Sequence, residues 1–505
     1  MKVLFLYPNA DSQVGFNYGV SHLSAVLRRA GHEVVFWQLC EELAPLPSKD
    51  EFIKRVQEEQ PDLLAFSVVT NQWEYAKTLA SWVRQELCLT TICGGVHALV
   101  APEQILYSGV FDYVIRGECE EALLDFVERL AKGESVDEVS NVGYRKNREI
   151  HLNPVRPLPE LESLPFKDYE VMDFQKLIDV KNGWVGLMAS RGCPFSCTYC
   201  FNRNMVDRYR SDLKCSFAKL HYIRRFPVEQ MSEEIRYLLK NYKNIRMFIF
   251  DDDLFTFDKA YVEDFCTAYK KITDLPFVVN AHVRFFDREC AEILSDANCR
   301  IVKFGVESGS ERIRKKILNR HMSNEQIIEA IRYVQDAGMH SSVFVIIGFP
   351  HEKPDDVFAT IRLLAESCPG RFRWTYFFPY PGTESHRISR ESGLIDEEKM
   401  KTLSNFTDDS CLDFGAEQNL LLRKIGRIMP WFVNAYSDFG AAATYQTKVD
   451  ELLSLDKQQW ERIESTLYEQ DQRLSDECIR MGLSHYAIKY NRFMGVISDY
   501  FLTEE

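Results

Sequence analysis

Three cysteines stand apart from the other eleven. In Ser190-Arg191-Gly192-Cys193-Pro194-Phe195-Ser196-Cys197-Thr198-Tyr199-Cys200 they follow the spacing C-x3-C-x2-C. Three thiolates on one short loop can bind three corners of a cubane iron–sulfur cluster and leave the fourth iron open to an outside ligand. A zinc site completed by Cys215 or His221 is the competing use. Structural zinc, however, pairs C-x2-C units or adds histidines at fixed spacing, and Cys215 lies fifteen residues beyond Cys200 without a partner. The remaining cysteines are scattered and do not read as a disulfide framework. Cys88, Cys93 and Cys119 read as core residues.

Small and polar residues recur where other apolar runs end. Phe250-Asp251-Asp252-Asp253 sets three acids side by side, which is costly unless they meet a cation. A magnesium ion would meet that condition, and a solvated turn would relieve the cost by hydration. Gly305-Val306-Glu307-Ser308-Gly309-Ser310 places one carboxylate among small residues, and Ile347-Gly348-Phe349-Pro350 closes a further run. Nearer the N-terminus, Pro8-Asn9-Ala10-Asp11, Ser67-Val68-Val69-Thr70, Gly94-Gly95-Val96-His97 and Gly117-Glu118 leave room for an extended ligand tail. His97 reads equally well as a polar residue beside a glycine turn.

The elements that must position these groups alternate. Apolar runs at Val3–Tyr7, Glu33–Gln38, Leu63–Val69, Thr91–Cys93 and Tyr113–Ile115 are separated by helical patterns. That alternation predicts a doubly wound, Rossmann-like parallel sheet over 1–135, whose ligands bind beyond the carboxyl ends of the strands. No G-x-G-x-x-G follows the first strand, so a dinucleotide fits poorly. Residues 136–180, punctuated by Pro154, Pro157, Pro159 and Pro165, read as a linker. Over 181–400 the strands Val185–Ala189, Arg246–Phe250, Phe277–Ala281, Ile301–Val306, Ser342–Ile347 and Arg373–Phe378 make six βα-type repeats. Six are too few for a closed eight-stranded barrel and predict a partial (β/α)6 barrel. From 401 to 505 strands vanish and a helical C-terminal domain is expected. Its Leu420-Leu421-Leu422, Ile428-Met429 and Trp431-Phe432 serve either an apolar substrate pocket or plain packing.

Composition narrows the partners. Across 505 residues, 61 Lys and Arg against 75 Asp and Glu give a net charge of −14. Such a balance argues against a broad nucleic-acid surface. The opening Met1-Lys2-Val3-Leu4-Phe5-Leu6-Tyr7-Pro8 is too short for a signal peptide, and no apolar run reaches the ~18 residues of a membrane span. A cytoplasmic protein is expected.

The loop C-x3-C-x-aromatic-C, with Tyr199 in the aromatic place, resembles the signature of the radical SAM superfamily. The resemblance implies an oxygen-labile 4Fe–4S cluster on Cys193, Cys197 and Cys200, with S-adenosylmethionine (SAM) chelating the open iron. It further implies SAM contacts from Tyr199, Asp251, Asp252, Glu307, Ser308 and Gly348. The acids at 251–253 stand where the superfamily commonly has Gly-Gly-Glu, so the position matches better than the residue type. A doubly wound domain ahead of such a core looks like that of cobalamin-dependent radical SAM enzymes, a likeness covering roughly residues 1–400. It implies cobalamin contacts from Asn9, Ser67, Thr70, Gly94, Gly95, His97, Gly117 and Glu118. One departure concerns the D-x-H-x-x-G loop, through which mutases and methionine synthase ligate cobalt. Pro8-Asn9-Ala10-Asp11-Ser12-Gln13-Val14-Gly15 has no histidine, so cobalt would carry none from that loop.

The activity that follows from the resemblance is methylation of an unactivated carbon, through a 5′-deoxyadenosyl radical and methylcobalamin. Ring formation, ring contraction or another non-methylating rearrangement is the alternative on the same architecture. Methylthiolation of tRNA would need a second cysteine-held cluster and a basic β-domain, which the acidic charge and helical tail speak against. A small-molecule substrate and an external low-potential donor of the flavodoxin or ferredoxin type complete the expected partners. No side chain is assigned as catalytic.

Overall fold

The computed structural model describes residues 1–403, 409–491 and 495–501. The chain forms two compact units. The first takes in Met1–Phe195, Cys200–Ile249 and Tyr380–Thr383; the second takes in Ser196–Tyr199, Phe250–Pro379 and the chain from Glu384 onward.

In the first unit, β1 (Lys2–Pro8), β2 (Glu33–Leu39), β3 (Leu63–Ser67), β4 (Thr90–Gly94) and β5 (Tyr113–Ile115) form a parallel sheet ordered β2-β1-β3-β4-β5. Leu4, Leu6, Leu64 and Phe66 are buried, which is why these strands read as near-continuous apolar runs. The helices start where the sequence supplies caps. Asn17 accepts from Val20 N at 3.0 Å to open Tyr18–Arg29, and a Ser48–Glu51 capping box opens Lys49–Glu59. The expected linker differs from its reading. β6 (Val142–Lys146) and β7 (Glu149–Leu152) form a hairpin that extends the sheet antiparallel from β5. Its strands are short and mostly polar, so hydrophobic periodicity does not mark them.

The first unit continues with β8 (Trp184–Leu187), β9 (Ser190–Arg191), β10 (Arg224–Arg225) and β11 (Met247–Phe250); β9 and β10 pair antiparallel. By their contacts residues 200–249 fall within this first unit. Buried contacts explain this. Lys167 pairs with Glu234 at 2.7 Å, both side chains under 5% exposed, and Tyr169 donates to the same carboxylate.

In the second unit, β12 (Phe277–Ala281), β13 (Cys299–Glu307), β14 (His340–Ile347) and β15 (Arg371–Tyr376) are parallel neighbours. The C-terminal part is not wholly helical. After the helix Leu467–Arg480, Gly482 turns the chain at φ +69°, and β16 (His485–Asn491) and β17 (Gly495–Phe501) form a hairpin with β17 antiparallel to β15. The run His485-Tyr486-Ala487-Ile488 is buried throughout, and Asn434 brackets Tyr486 by donating to its carbonyl and accepting from its amide, both at 2.8 Å. A strand buried on both faces lacks the alternation that would mark it.

The helix Ala416–Ala435 packs onto β15 and kinks at Ile428. Pro430 has no N–H for the Gly426 carbonyl four residues back, and Trp374 Nε1 donates to that oxygen at 2.6 Å instead. Leu422, Ile428, Met429, Trp431 and Phe432 are all buried, so packing rather than a pocket accounts for most of that apolar run. Among the described residues no helix is long and apolar enough to cross a membrane.

Candidate functional site

The cysteine loop leaves β9 at Arg191 and ends at the helix Phe201–Leu213. Gly192 makes the turn at φ +95°, where a Cβ would lie 2.3 Å from the Tyr222 carbonyl oxygen. Cys197 is buried, Cys193 and Cys200 are half-buried, and no described cysteine forms a disulfide. Among the described residues no three His, Cys, Asp or Glu side chains converge as for one metal ion. A cubane offers each thiolate a separate iron, so its ligands need not converge on a point.

In the second unit the loop is gripped from one segment. Thr198 N donates to Leu318 O at 3.1 Å and Thr198 Oγ1 to Ile317 O at 2.7 Å. Asn319 Nδ2 donates to Ser196 O at 3.1 Å and to Ser196 Oγ at 2.8 Å. Arg320 Nη1 reaches Cys197 Sγ at 3.6 Å, and Nη2 donates to the Gly305 carbonyl. Arg320 drew no notice in sequence, because nothing local distinguishes it in Leu318-Asn319-Arg320-His321.

Glu307 ends β13 in a left-handed conformation, φ +67°, beside a register shift between Gly305 and Glu307. For a non-glycine residue that conformation costs about 1–3 kcal/mol and is held only by its surroundings. Tyr199 donates to its Oε1 at 3.0 Å. Burial pushes the Glu307 carboxyl up, against the pull of Arg320 and the Tyr199 hydrogen bond. Tyr199 and Glu307, both expected SAM contacts, are thus brought together.

Other expected contacts fare differently. Ser308 is fully buried; its hydroxyl accepts from Ser310 N at 3.2 Å and meets Thr360 Oγ1 at 3.4 Å, so it shapes the loop. Gly309 packs so closely on Thr360 that a Cβ would lie 2.5 Å from its Cα. Asp251 is exposed, whereas Asp252 is buried and its carbonyl accepts from Asn280 at 2.9 Å. Gly348 sits at φ +82°, and its N–H donates to Glu352 Oε2 at 2.5 Å. Burial pushes the Glu352 carboxyl up to about 8, against the hydrogen bonds from Gly348 and Phe349.

At the N-terminal sheet, the loop after β1 is pinned from several sides. Asn9 Nδ2 donates to Gln13 O at 3.0 Å, and Gln72 Nε2 to Ala10 O at 2.6 Å. Asn17 Nδ2 donates to Ser67 Oγ at 3.3 Å. Gly95, at φ +91°, allows β3 and β4 to close together, since a Cβ there would lie 2.6 Å from Val68 O; Gly94 is less constrained. His97 lies 4.8 Å from the Trp73 ring centroid and 3.4 Å from Thr70 Oγ1. Its Nε2 is buried without a partner, and burial lowers its pKa to about 4. A neutral imidazole with one unpartnered nitrogen, beside the loop that follows β3, fits a polar cofactor tail.

Gly117 and Glu118 have other neighbours. A Cβ on Gly117 would overlap Tyr209, whose hydroxyl accepts from Glu118 N at 2.9 Å. The Glu118 carboxylate pairs with Arg191 at 2.6 Å and also with Arg224. Burial raises it, but the two guanidinium groups prevail and hold it below the usual carboxylate range. Its side chain is therefore committed to the protein rather than to a ligand. Burial also pushes the Cys93 and Cys119 thiols up, whereas Cys88 is exposed and not part of the core.

An α/β chain with a thiol-bearing loop after a barrel-type strand and a doubly wound N-terminal sheet defines a class, and the family comparisons agree. The radical SAM superfamily matches residues 187–364, and the B12 binding domain matches residues 12–127. The chain thus carries a radical SAM domain and a B12-binding domain. It is 28% identical over 408 residues to an uncharacterized methyltransferase of Pyrococcus horikoshii, covering 78% of this chain and 84% of that one. It is 22% identical over 454 residues to an anaerobic magnesium-protoporphyrin IX monomethyl ester cyclase of Rubrivivax gelatinosus, covering 86% and 78%. The fold is similar to that of a radical S-adenosylmethionine methyltransferase from Kitasatospora setae, solved with cobalamin and a [4Fe–4S] cluster bound. That match has a TM-score of 0.63 at 16% identity, covering 77% of this chain and 75% of the other.

Proposed function

We propose that this chain is a methyltransferase that places a methyl group on an unactivated carbon of a small molecule. The observation that carries the reading is the pairing of Tyr199 with Glu307, one residue from the cysteine loop and one from the end of β13, beside the buried Cys197. When bound, cluster and SAM supply a hydrogen-abstracting radical, and cobalamin supplies a transferable methyl group. Cys193, Cys197 and Cys200 would hold the cluster. Glu307 would orient the SAM ribose, with Tyr199 fixing its rotamer and Gly348, without a side chain, leaving space near the adenine. Asn9, Ser67, Thr70, Gly94, Gly95 and His97 would line the cobalamin tail. The protein's own part is to position the reacting groups and exclude water.

The non-methylating reading is favoured by the cyclase relative, which spans 86% of this chain. Product accounting separates the two. Full-length protein, purified anaerobically and loaded with iron, sulfide and cobalamin, is given SAM and a low-potential reductant. Methylation predicts S-adenosylhomocysteine that depends on cobalamin, alongside 5′-deoxyadenosine. Deoxyadenosine without any cobalamin-dependent homocysteine product would refute methylation and favour rearrangement. The triple Cys193→Ala, Cys197→Ala, Cys200→Ala variant should lose essentially all of its iron and sulfide.

A further inference from the structure

We propose that Arg320 is a positioning residue whose fixed positive charge, held against Cys197 Sγ, sets the reduction potential of the cluster bound by that cysteine. This rests on the reading of Cys197 as a cluster ligand. Arg320 is 8% exposed, and its guanidinium bridges two parts of one unit: Nη1 lies 3.6 Å from Cys197 Sγ, and Nη2 donates to the carbonyl of Gly305. Its backbone is fixed as well, with Arg320 N donating to Arg314 O at 2.7 Å. The segment around it holds the cysteine loop through Thr198 and Asn319, so the sulfur and the cation cannot drift apart independently. Glu307 and Tyr199 share the same surroundings.

The physical consequence follows from charge. A cluster that accepts one electron from an external low-potential donor gains one negative charge and takes up no proton. A buried cation beside a ligand sulfur favours the more negative form, and hydrogen bonds to the sulfurs act in the same direction. Arg320 therefore raises the potential and eases reduction. An arginine suits this position because it stays charged in burial and its planar fork serves sulfur and carbonyl together.

The test uses full-length protein loaded anaerobically with iron and sulfide, titrated with dithionite and followed by the electron paramagnetic resonance of the reduced cluster. Arg320→Met and Arg320→Gln should shift the midpoint to more negative values and lower the fraction reduced at a fixed donor potential. Arg320→Lys, which keeps the charge, should remain near the wild type, as should Asn319→Ala, which removes a loop contact without a charge. A neutral variant with full iron content and an unchanged midpoint would overturn the inference. So would a lysine variant shifted as far as the neutral ones. Loss of cluster from both neutral variants with retention in Arg320→Lys supports the role of charge, whereas loss from all three overturns it. If the wild type itself takes up no cluster, it is the reading of the cysteine loop that fails.

Discussion

Replacing Glu118 by glutamine removes one negative charge from between two guanidinium groups while keeping the side-chain shape. Glu118, Arg191 and Arg224 have side chains 11%, 13% and 5% exposed, so water screens them weakly. Removing one partner of such a buried pair costs about 3–5 kcal/mol, because the opposite charges remain in place without compensation. Glutamine can still accept one hydrogen bond. Arg191 also keeps Glu120 at 2.7 Å, and Arg224 keeps the Pro159 carbonyl at 2.6 Å, so the lower end, about 3 kcal/mol, is expected. The assay is denaturant unfolding of wild type and Glu118→Gln, comparing transition midpoints at unchanged slope. The folded-state carboxyl lies below its ordinary value, so the stabilisation is full above about pH 4.5 and is lost as pH falls through the folded value. The gap between the two proteins should be constant from pH 6 to 8 and shrink in acid. Because Arg191 leads directly into Gly192-Cys193, the variant should also retain less iron after reconstitution. A loss under about 1 kcal/mol, or a gap that does not narrow in acid, would refute the assignment of Glu118 to this network and restore it as a ligand contact.

His97 is neutral in the folded protein down to about pH 4, whereas its unfolded form charges near pH 6.5. Stability should therefore rise from about pH 4 to about 6.5 and level off above, and His97→Gln should flatten that slope in pH-resolved denaturation. Asn434→Leu leaves the Tyr486 amide and carbonyl unpaired, a cost of about 1–3 kcal/mol for each unsatisfied group. Hydrogen exchange should quicken across 485–488; exchange unchanged from wild type would show that the hairpin is held by β15 instead.

Local pattern sufficed for much of the architecture. Strands buried on both faces by flanking helices must be apolar runs, which is why β1 to β5 and β12 to β15 were legible within a few residues. The C-x3-C-x2-C loop and the carboxylate at Glu307 were equally plain, since each depends on residues adjacent in sequence. The 142–152 hairpin was not legible, because short polar strands at a sheet edge carry no strong period. The pairing of β16 with β17 was not legible for the opposite reason, since 485–488 is a run buried without alternation. Pairings across long stretches of chain lay beyond reach. Glu118 stands beside Arg191 and Arg224 only once the sheet and the cysteine loop have folded together. Arg320 meets Cys197 from 123 residues away in sequence. Ser308 is buried against Thr360, 52 residues away in sequence. Residue type and spacing named the chemistry available at each strand end. The tertiary structure decided which side chains remain open to a ligand and which are committed to neighbouring charges, because burial and charge pairing are properties of the packed chain.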